Sequence, residues 1–356
     1  MNRTGKQFNI KFFLKLMVIN DEYNAFGFFI IQLEKKITVT EIKKGLYLLM
    51  CCYKRAHLVL IFLVILFMVD LRGHAQDLEP RAYSNAPVGL NFLLAGYSYS
   101  QGDLSLDPSI PIQDANLDVH TLILAYVHTF DLWGMSSKFN VVAPYVCVSG
   151  SAIFAGEAKE RNICGFADPR FKLTVNVYGA PSLSLKEFAN YKQDIIVGTS
   201  LQVTPPAGQY DSSKLINIGT NRWSFEPEIG ISKAVGPITM ELMGGATFYS
   251  HNNDFLEGNT LEIDPIYFVQ GHVIYNFKSG IWCSLDGTYY WGGQAIINGV
   301  KGDTLEENTR VGATLSLPVN RHNSVKLYGS SGVTTRTGTD FKTLGISWQY
   351  RWGGGF

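Results

Sequence analysis

The stretch DPRFKLTVNV, residues 168–177, decides the fold class, because polar and apolar side chains alternate along it. Successive side chains of a β-strand point to opposite faces of a sheet, so this alternation predicts a strand with two different faces. One face carries Phe171, Leu173, Val175 and Val177. The other carries Asp168, Arg170, Lys172, Thr174 and Asn176. The strand therefore separates an apolar environment from a polar one.

The same pattern returns from about residue 88 to the end of the chain, in segments of about ten residues separated by turn residues. Twelve candidate strands are predicted, approximately at 88–100, 117–130, 137–149, 167–178, 191–204, 222–233, 237–250, 264–276, 281–291, 308–317, 324–333 and 342–352. Their connections mostly alternate between long and short. The long ones are 101–116, 150–166, 205–221, 251–263 and 292–307. The connection near 179–190 breaks this rule and is predicted to hold a short helix.

Two architectures place such strands differently: a soluble sandwich exposes the polar face to water, whereas a membrane barrel turns it into the lumen. Three observations favour the barrel. Tyr267 and Tyr275 lie at the two ends of one apolar strand face, as interfacial aromatic girdles require. Short turns alternating with long loops are typical of bacterial barrels. The last strand is aromatic on alternate positions and ends at Phe356, which resembles the assembly signal of outer-membrane barrels. We predict an all-β, antiparallel up-and-down transmembrane β-barrel of about 12 strands (range 10–14) over residues 88–356.

The segment HLVLIFLVILFMVDLRGHAQ, residues 57–76, is the longest apolar run. Its apolar part, residues 58–69, is shorter than the roughly 20 residues of a spanning helix. Lys54 and Arg55 precede it, and Gly73 and Ala75 are small residues at positions −3 and −1 of a cleavage site. These features favour a cleaved signal peptide over an uncleaved anchor or a buried helix.

The domain organisation follows from this export signal. Met50 is an ordinary start for a signal peptide of residues 50–75. Residues 1–49 carry no recognisable chemistry, and we interpret them as an over-extended reading frame or an extension without structure. A short N-terminal segment, residues 76–87, then precedes the barrel. The predicted location is the outer membrane of a Gram-negative bacterium.

Composition and motifs exclude several function classes. Charged residues make up 17% and aromatic residues 13% of the chain, which is unusual for a soluble protein. Basic and acidic residues balance at 30 each, so no basic surplus is present to bind nucleic acid. No Gly-x-Ser-x-Gly, His-Glu-x-x-His or phosphate-loop motif occurs, and we predict no enzyme activity, cofactor or metal. His251 and Asp254 lie in a predicted external loop, where solvated turn residues are favoured over an acid/base pair.

Cys147 and Cys164 bracket the predicted loop 150–166. Two alternatives are open: a disulfide formed in the oxidising periplasm, or two free cysteines, and the second is favoured. Cys283 falls on a predicted lipid face, where it would pack as a small hydrophobic residue.

Four blocks of sequence resemble a known family. They are GFADPRFKL (165–173), VTPPAGQYDSSKLINIGTNRWSFEPEIGISK (203–233), DPIYFVQGHVIYNF (264–277) and VTTRTGTDF (333–341). Together they resemble the outer-membrane transporters named for the meta pathway of phenol degradation. Asp168 and Pro169 match a Gly-Leu-Gly-Asp-Pro-like strand start of that family, whereas Ala167 departs from it. The resemblance spans roughly residues 85–356 and implies a barrel that passes hydrophobic or aromatic compounds.

Charged residues on the polar faces are the candidate site, because they are predicted to line the lumen. They are Asp168, Arg170, Lys172, Arg222, Glu226, Glu228, Asp286, Arg310 and Arg351. Either they pair with one another in a filled lumen, which is the favoured interpretation, or they form a constriction that selects solutes.

The leading function is a channel or transporter for hydrophobic or aromatic small molecules. The alternative is a structural or adhesive barrel that acts through its external loops, and a soluble secreted β protein is a minor third. The partners are outer-membrane lipid, the assembly machinery acting on the strand that ends at Phe356, and small solutes, but no nucleic acid.

Overall fold

The computed structural model describes residues 7–20, 25–38, 78–104, 112–154, 157–256, 258–336 and 339–355. The chain forms two compact units, Met1–Asp70 and Leu71–Phe356. In the first unit, β1 (Gln7–Asn20) and β2 (Ala25–Thr38) form an antiparallel hairpin. The signal peptide predicted at residues 50–75 lies outside the described residues. Both that peptide and the start at Met50 stay predictions.

The second unit contains one short helix, α1 (Leu185–Phe188), among its described residues, and all the remaining strands. In chain order these strands are β3 (Leu90–Leu104), β4 (Ile112–Leu132), β5 (Met135–Phe154), β6 (Glu157–Phe166), β7 (Arg170–Tyr178), β8 (Ile195–Thr204), β9 (Ser224–Val235), β10 (Ile238–Tyr249), β11 (Asn252–Phe255), β12 (Asn259–Ile263), β13 (Ile266–Asn276), β14 (Trp282–Gly292), β15 (Ala295–Ile297), β16 (Val300–Lys301), β17 (Glu306–Pro318), β18 (Asn323–Thr334) and β19 (Thr339–Gly353).

The described strands close into an antiparallel barrel of twelve, because β19 pairs with β3 and every other barrel strand pairs with its neighbours in the chain. β6 and β7 count as one of the twelve. Strand β5 pairs with β6 over residues 145–154 and with β7 over residues 137–142, so the two are one barrel strand interrupted at residues 167–169. Each of the twelve predicted strands has its counterpart here. The predicted fold class is confirmed.

The outer surface of the barrel is apolar, as the alternation predicts. On β7, Phe171 and Leu173 are exposed, whereas Lys172 between them is 5% exposed. Aromatic side chains stack near both ends of the barrel wall. Tyr267 and Trp291 have ring centroids 5.8 Å apart at one end, and other aromatic pairs occupy the opposite end. Among the described residues, no helix is long and apolar enough to cross a membrane. The apolar belt and its aromatic borders fit an outer-membrane barrel.

The connections differ from prediction at one end of the barrel. The predicted loop 150–166 is wrong, because β5 and β6 continue through most of it. The predicted loop 101–116 is also shorter, since β3 extends to Leu104 and β4 begins at Ile112. Pairing continues there because each strand finds an antiparallel partner for its backbone groups.

Two further predicted loops contain ordered structure. β11, β12, β15 and β16 pair into a four-stranded sheet of described residues between the barrel strands. The opposite end has short turns and α1, which confirms the predicted helix. Ser184 caps this helix, since Glu187 N donates to its Oγ, and the Glu187 carboxylate accepts from Ser184 N in return. The hydrogen bonds from Ser184 lower the pKa of Glu187.

Candidate functional site: the barrel lumen

Residues 78–89 run inside the barrel before β3 begins, and we call them the lumen segment. The backbone nitrogen of Glu79 donates to Gln270 Oε1 at 3.2 Å. The backbone nitrogen of Arg81 donates to Glu241 Oε2 at 2.7 Å. Both acceptors are buried side chains on the inner faces of β13 and β10. The lumen segment is therefore held against the inner wall by hydrogen bonds from its own backbone.

Missing side chains in the wall make room for this segment. Gly198 on β8 and Gly230 on β9 are direct cross-strand partners, and the ring of Tyr83 lies over both. A Cβ atom on Gly198 or Gly230 would come within 2.1 or 2.2 Å of that ring. Gly312 on β17 leaves space for the Leu78 side chain, since a Cβ atom on Gly312 would lie 2.2 Å from Leu78 Cδ1. We call the Gly198–Gly230 pair the glycine slot.

A buried ion cluster fixes the start of the lumen segment. Lys172 Nζ lies 2.8 Å from Glu79 Oε2 and 2.9 Å from Glu228 Oε2. Glu228 also accepts a hydrogen bond from Ser200 Oγ. Lys172 and Glu228 are buried, whereas the Glu79 side chain is 37% exposed, and these contacts offset part of the free energy of removing the two buried charges from water. Lys172 and Glu228 therefore pair with each other, which agrees with the interpretation that the lumen charges neutralise one another.

A second buried cluster involves Asp286. Its Oδ1 lies 2.6 Å from His272 Nδ1, and its Oδ2 accepts from Ser284 Oγ at 3.0 Å. His272 Nε2 lies 2.9 Å from Gln270 Oε1, the acceptor of the Glu79 backbone nitrogen. The cluster therefore connects the wall of β13 and β14 with the lumen segment.

Asp168 has a different place from the predicted one. Its Oδ1 accepts from Gly208 N at 2.7 Å, and its Oδ2 accepts from Thr220 N and Thr220 Oγ1, each at 2.8 Å. Asp168 itself lies in the interruption between β6 and β7. It is buried beneath the connection 205–223 and holds that connection, rather than facing open space in the lumen.

Arg222 and Glu226 lie close to the same connection. The Arg222 guanidinium is 4.7 Å from the ring centroid of Tyr249, a distance that fits a cation–π contact. Glu226 Oε2 accepts from Thr247 Oγ1 at 2.6 Å. Both side chains contact the ends of β9 and β10.

Three cavities of about 190, 230 and 550 Å³ lie beside the lumen segment, and Leu78 borders all three. The first two share Arg170 and Tyr328 in their walls, and the last two share Leu94 and Lys326. They therefore follow one another along the lumen. We call this row of cavities the passage.

The wall of the passage formed by β3, β4 and β5 carries many apolar side chains, together with polar ones such as Ser98, Thr121 and Asn140. On β4, Ile123 and Ala125 face the passage, while Leu122 and Leu124 are 56% and 55% exposed on the outer surface. Residues 122–125 are therefore apolar on both faces of the wall, unlike β7. The apolar residues from β3, β4 and β5 that line the passage are Phe92, Leu94, Val119, Ile123, Ala125, Val127, Val142 and Pro144.

Comparison with known proteins agrees with this architecture. A family profile described as "Putative MetA-pathway of phenol degradation" matches residues 98–350. The chain belongs to this family. Its barrel is similar to the COG4313 outer membrane channel from Pseudomonas putida F1, with a TM-score of 0.65 and 21% identity over 78% of this chain and 100% of that chain. The transport unit of the autotransporter AIDA-I from Escherichia coli gives a TM-score of 0.46 and 8% identity over 78% of this chain and 93% of that one. The comparison with curated proteins finds no match.

In this family member, the residues predicted to line the lumen divide into three groups. Arg170, Lys172, Arg310 and Arg351 border the passage. Glu226, Glu228 and Asp286 are bonded to neighbouring side chains of the inner wall. Asp168 and Arg222 contact the connection 205–223 or its flanks.

Cys147 and Cys164 are cross-strand partners on β5 and β6 and form a disulfide. The bond replaces the pair of free cysteines that the sequence favours. Cys283 is a partly exposed free cysteine. His251 Nε2 lies 3.7 Å from Glu262 Oε2, and the Asp254 carbonyl oxygen accepts from Tyr210, so these contacts do not join His251 to Asp254.

Sequence reasoning missed the lumen segment with Glu79, Arg81 and Tyr83, because these residues follow no strand pattern. It also missed Lys138 and Lys326, which border the passage. These two lysines occupy inward positions of the alternation on β5 and β18, and that signal was available.

Proposed function

We propose that the protein is an outer-membrane channel that carries hydrophobic or aromatic small molecules along the passage. The apolar side chains that β3, β4 and β5 contribute to the passage carry this proposal. Sites that bind hydrophobic molecules are mostly apolar and contain a few placed polar groups. The similarity of the fold to a protein named as an outer membrane channel and the phenol-degradation name of the family support the same function.

The lumen segment gives the passage its selectivity in this proposal. It occupies the side of the lumen next to β8, β9 and β10, where the glycine slot and the Lys172 cluster hold it. The space beside Leu78 consists of cavities of about 190, 230 and 550 Å³. Large hydrophilic solutes are excluded, and small apolar molecules contact protein along the whole path.

An uptake assay tests the proposal. Cells that lack the protein receive the wild-type chain, the Ile123→Asn variant or the Thr121→Asn variant. Both substitutions lie on the inner face of β4, but Thr121 is already polar, so it is the matched control. We expect the uptake of naphthalene to fall with Ile123→Asn and to stay at the wild-type rate with Thr121→Asn, at equal amounts of barrel in the outer membrane. Equal uptake in cells with and without the protein would refute the channel.

The remaining partners are also proposals. Outer-membrane lipid would surround the apolar belt, which includes Leu122, Leu124 and Ile229. The assembly machinery would act on β19 and on Phe356, which lies outside the described residues. We propose no catalytic role for the barrel.

A structural or adhesive barrel is the second candidate, and the sheet of β11, β12, β15 and β16 favours it, because an ordered external sheet offers a surface for contact. Replacing residues 295–301 with a Gly-Ser linker separates the two functions. Loss of cell–surface attachment with unchanged naphthalene uptake would assign adhesion to this sheet. Loss of neither property would leave the sheet without a role in adhesion.

A further inference from the structure

Two cavities of the passage meet at a small set of side chains. Five of the described residues border both the cavity of about 190 Å³ and the cavity of about 230 Å³. They come from the lumen segment and from β4, β7, β17 and β18, so they reach the path from several sides. They are Leu78, Ile123, Arg170, Thr314 and Tyr328. We call this place the junction, because a molecule that moves between the two cavities passes these side chains.

Tyr328 gives the junction an aromatic ring. Its cross-strand partner on β19 is Gly345. A Cβ atom on Gly345 would lie 2.1 Å from Tyr328 Cζ. The ring therefore leans over the neighbouring strand and covers the glycine, an arrangement known in β-sheets as aromatic rescue of a glycine. A side chain at position 345 would occupy the place of the ring.

The face of this ring, not its edge, lies over Gly345. The Cβ position is 2.1 Å from Cζ and 2.5 Å from both Cε2 and the hydroxyl oxygen of Tyr328. No point in the plane of the ring has these three distances, so the Cβ position lies above that plane. One face is therefore held against the inner wall at β19. The opposite face is turned toward the lumen, where Tyr328 borders both cavities.

A glycine also makes room for Leu78, the apolar side chain that the lumen segment brings to the junction. Leu78 Cδ1 would lie 2.2 Å from a Cβ atom on Gly312. Gly312 precedes Thr314 by two residues on β17, and Thr314 is the cross-strand partner of Tyr328. The Leu78 side chain and the Tyr328 ring therefore lie at neighbouring levels of the same part of the wall.

We propose that Tyr328 is the specificity-determining residue of the passage, and that its ring face passes flat aromatic molecules faster than saturated ring molecules of the same carbon number. The inference rests on the proposed channel function and assigns the discrimination of cargo to one side chain. A flat cargo can stack on the free face of the ring, and stacked aromatic pairs are stabilised beyond the burial of their area. A saturated ring is puckered, so it contacts a flat surface poorly and needs more space beside Ile123.

An uptake assay with two bicyclic hydrocarbons of ten carbons, naphthalene and trans-decalin, tests the proposal. Cells that lack the protein receive the wild-type chain or a variant, and only variants present in the outer membrane at the wild-type amount are compared. We expect the protein-dependent uptake of naphthalene to be several-fold faster than that of decalin. Tyr328→Leu and Tyr328→Gln should bring this ratio close to one, whereas Tyr328→Phe, which keeps the ring, should preserve it.

Two further variants separate the place of the ring from its presence. Gly345→Ala keeps Tyr328 but displaces the ring from the wall, so the ratio should fall as in Tyr328→Leu. Tyr275→Leu is the matched control for the loss of a tyrosine, because Tyr275 is 42% exposed on the outer surface and borders none of the three cavities. Its uptake ratio should equal that of the wild type.

The outcomes distinguish this inference from the channel function. Equal protein-dependent uptake of naphthalene and decalin by the wild type would overturn the role of Tyr328 and leave the channel standing. A wild-type ratio in Tyr328→Leu and Tyr328→Gln would do the same. An equal fall in Tyr275→Leu and Tyr328→Leu would also contradict the inference, since the junction would then not be the place of selection. Uptake of both hydrocarbons at the rate of cells without the protein would remove the channel and the inference together.

Discussion

At the residue scale, the glycine slot shows how the absence of a side chain can position a distant part of the chain. Tyr83 precedes Gly198 by more than a hundred residues in the sequence, yet its ring fills the space that two Cβ atoms would take. Tyr83 is 1% exposed, so this contact is among the most enclosed in the lumen. The ring would have nowhere to pack if either glycine carried a methyl group.

Gly230→Ala should therefore release Tyr83 and loosen the lumen segment. A Cβ atom 2.2 Å from the ring cannot coexist with it, and the wall is backbone that cannot yield easily. We expect larger and noisier single-channel conductance in planar bilayers. Gly287→Ala is the control, because its nearest neighbour lies 3.9 Å from the new Cβ. Unchanged conductance in Gly230→Ala, with Tyr83→Ala also unchanged, would show that the segment does not limit flow.

The two faces of β19 give a second prediction at this scale. Ile346 is 48% exposed on the outer surface, whereas Gln349 borders the passage. Ile346→Arg should destabilise the inserted barrel by about 2–4 kcal/mol, since an Arg near the bilayer midplane is placed in lipid. Gln349→Arg should have a much smaller effect on urea-induced unfolding in lipid vesicles. Equal midpoints for the two variants would contradict the assignment of the faces.

Residue-level prediction succeeded where a two-residue period was present. Lys172 and Leu173 point to opposite sides of the wall, as expected. The period does not describe Glu79, whose backbone nitrogen binds Gln270 across 191 positions. Such a contact depends on barrel closure, and no local pattern encodes it. The pairing of Lys172 with Glu79 was out of reach for the same reason.

At the element scale, the interruption between β6 and β7 gives the Asp-Pro motif a physical role. Pro169 has no backbone N–H, so a break in the ladder at this point leaves no donor of its own unsatisfied. Asp168 uses the break to receive three hydrogen bonds from Gly208 and Thr220. One motif thus ends a strand and anchors the connection 205–223.

Asp168→Ala should free this connection without unfolding the barrel. Hydrogen bonds to a charged acceptor contribute about 1.5–3 kcal/mol each, and three are lost together. We expect faster proteolysis between residues 205 and 223 and unchanged heat-modifiable migration of the barrel. Asp168→Asn keeps one acceptor oxygen and should lie between the wild type and Asp168→Ala. Slow cleavage in both variants would show that other contacts hold the connection.

The disulfide between β5 and β6 leads to a second prediction for an element. Cys147 and Cys164 close a loop with a sequence separation of 17, and a loop of that length constrains the unfolded chain by about 3 kcal/mol. Cys147→Ser should increase amide hydrogen exchange around residues 149–162, because fewer constraints hold the outer part of this hairpin. Exchange in β7, which pairs with the lower part of β5, should not change. An equal increase in both regions would contradict a local role.

The twelve barrel strands were predictable because most of them alternate between polar and apolar residues and end at turn residues. The outer extensions of β4 and β5 were not, since Ile112–Asn116 and Gly150–Phe154 lack a clear alternation of polar and apolar residues. The sequence also did not predict the apolar lining of the passage on β4. Ile123 and Leu124 are neighbours in a run without polar residues, and such a run does not reveal which side faces the lumen.

At the scale of the whole molecule, the position of Leu78 bears on the predicted processing of the precursor. Cleavage after Ala75 would leave Gln76 and Asp77 ahead of the lumen segment. We expect N-terminal sequencing of outer-membrane material to begin near Gln76. The reason is that Gly73 and Ala75 are small residues at positions −3 and −1 of a cleavage after Ala75. Mature chains that begin before Met50 would contradict both the start and the cleavage.

The closure of the barrel between β3 and β19 sets an order of events during assembly. β3 follows directly on the lumen segment and pairs with β19, the last barrel strand in chain order, along the whole of Thr339–Gly353. Once β3 and β19 are paired, the Tyr83 ring cannot enter the lumen through the barrel wall. The sheet therefore closes around residues 78–89, and the lumen segment is in place before β3 and β19 pair. A synthetic peptide of residues 76–89, added after folding to a barrel that lacks them, should fail to restore wild-type conductance, whereas the same peptide present during folding should succeed.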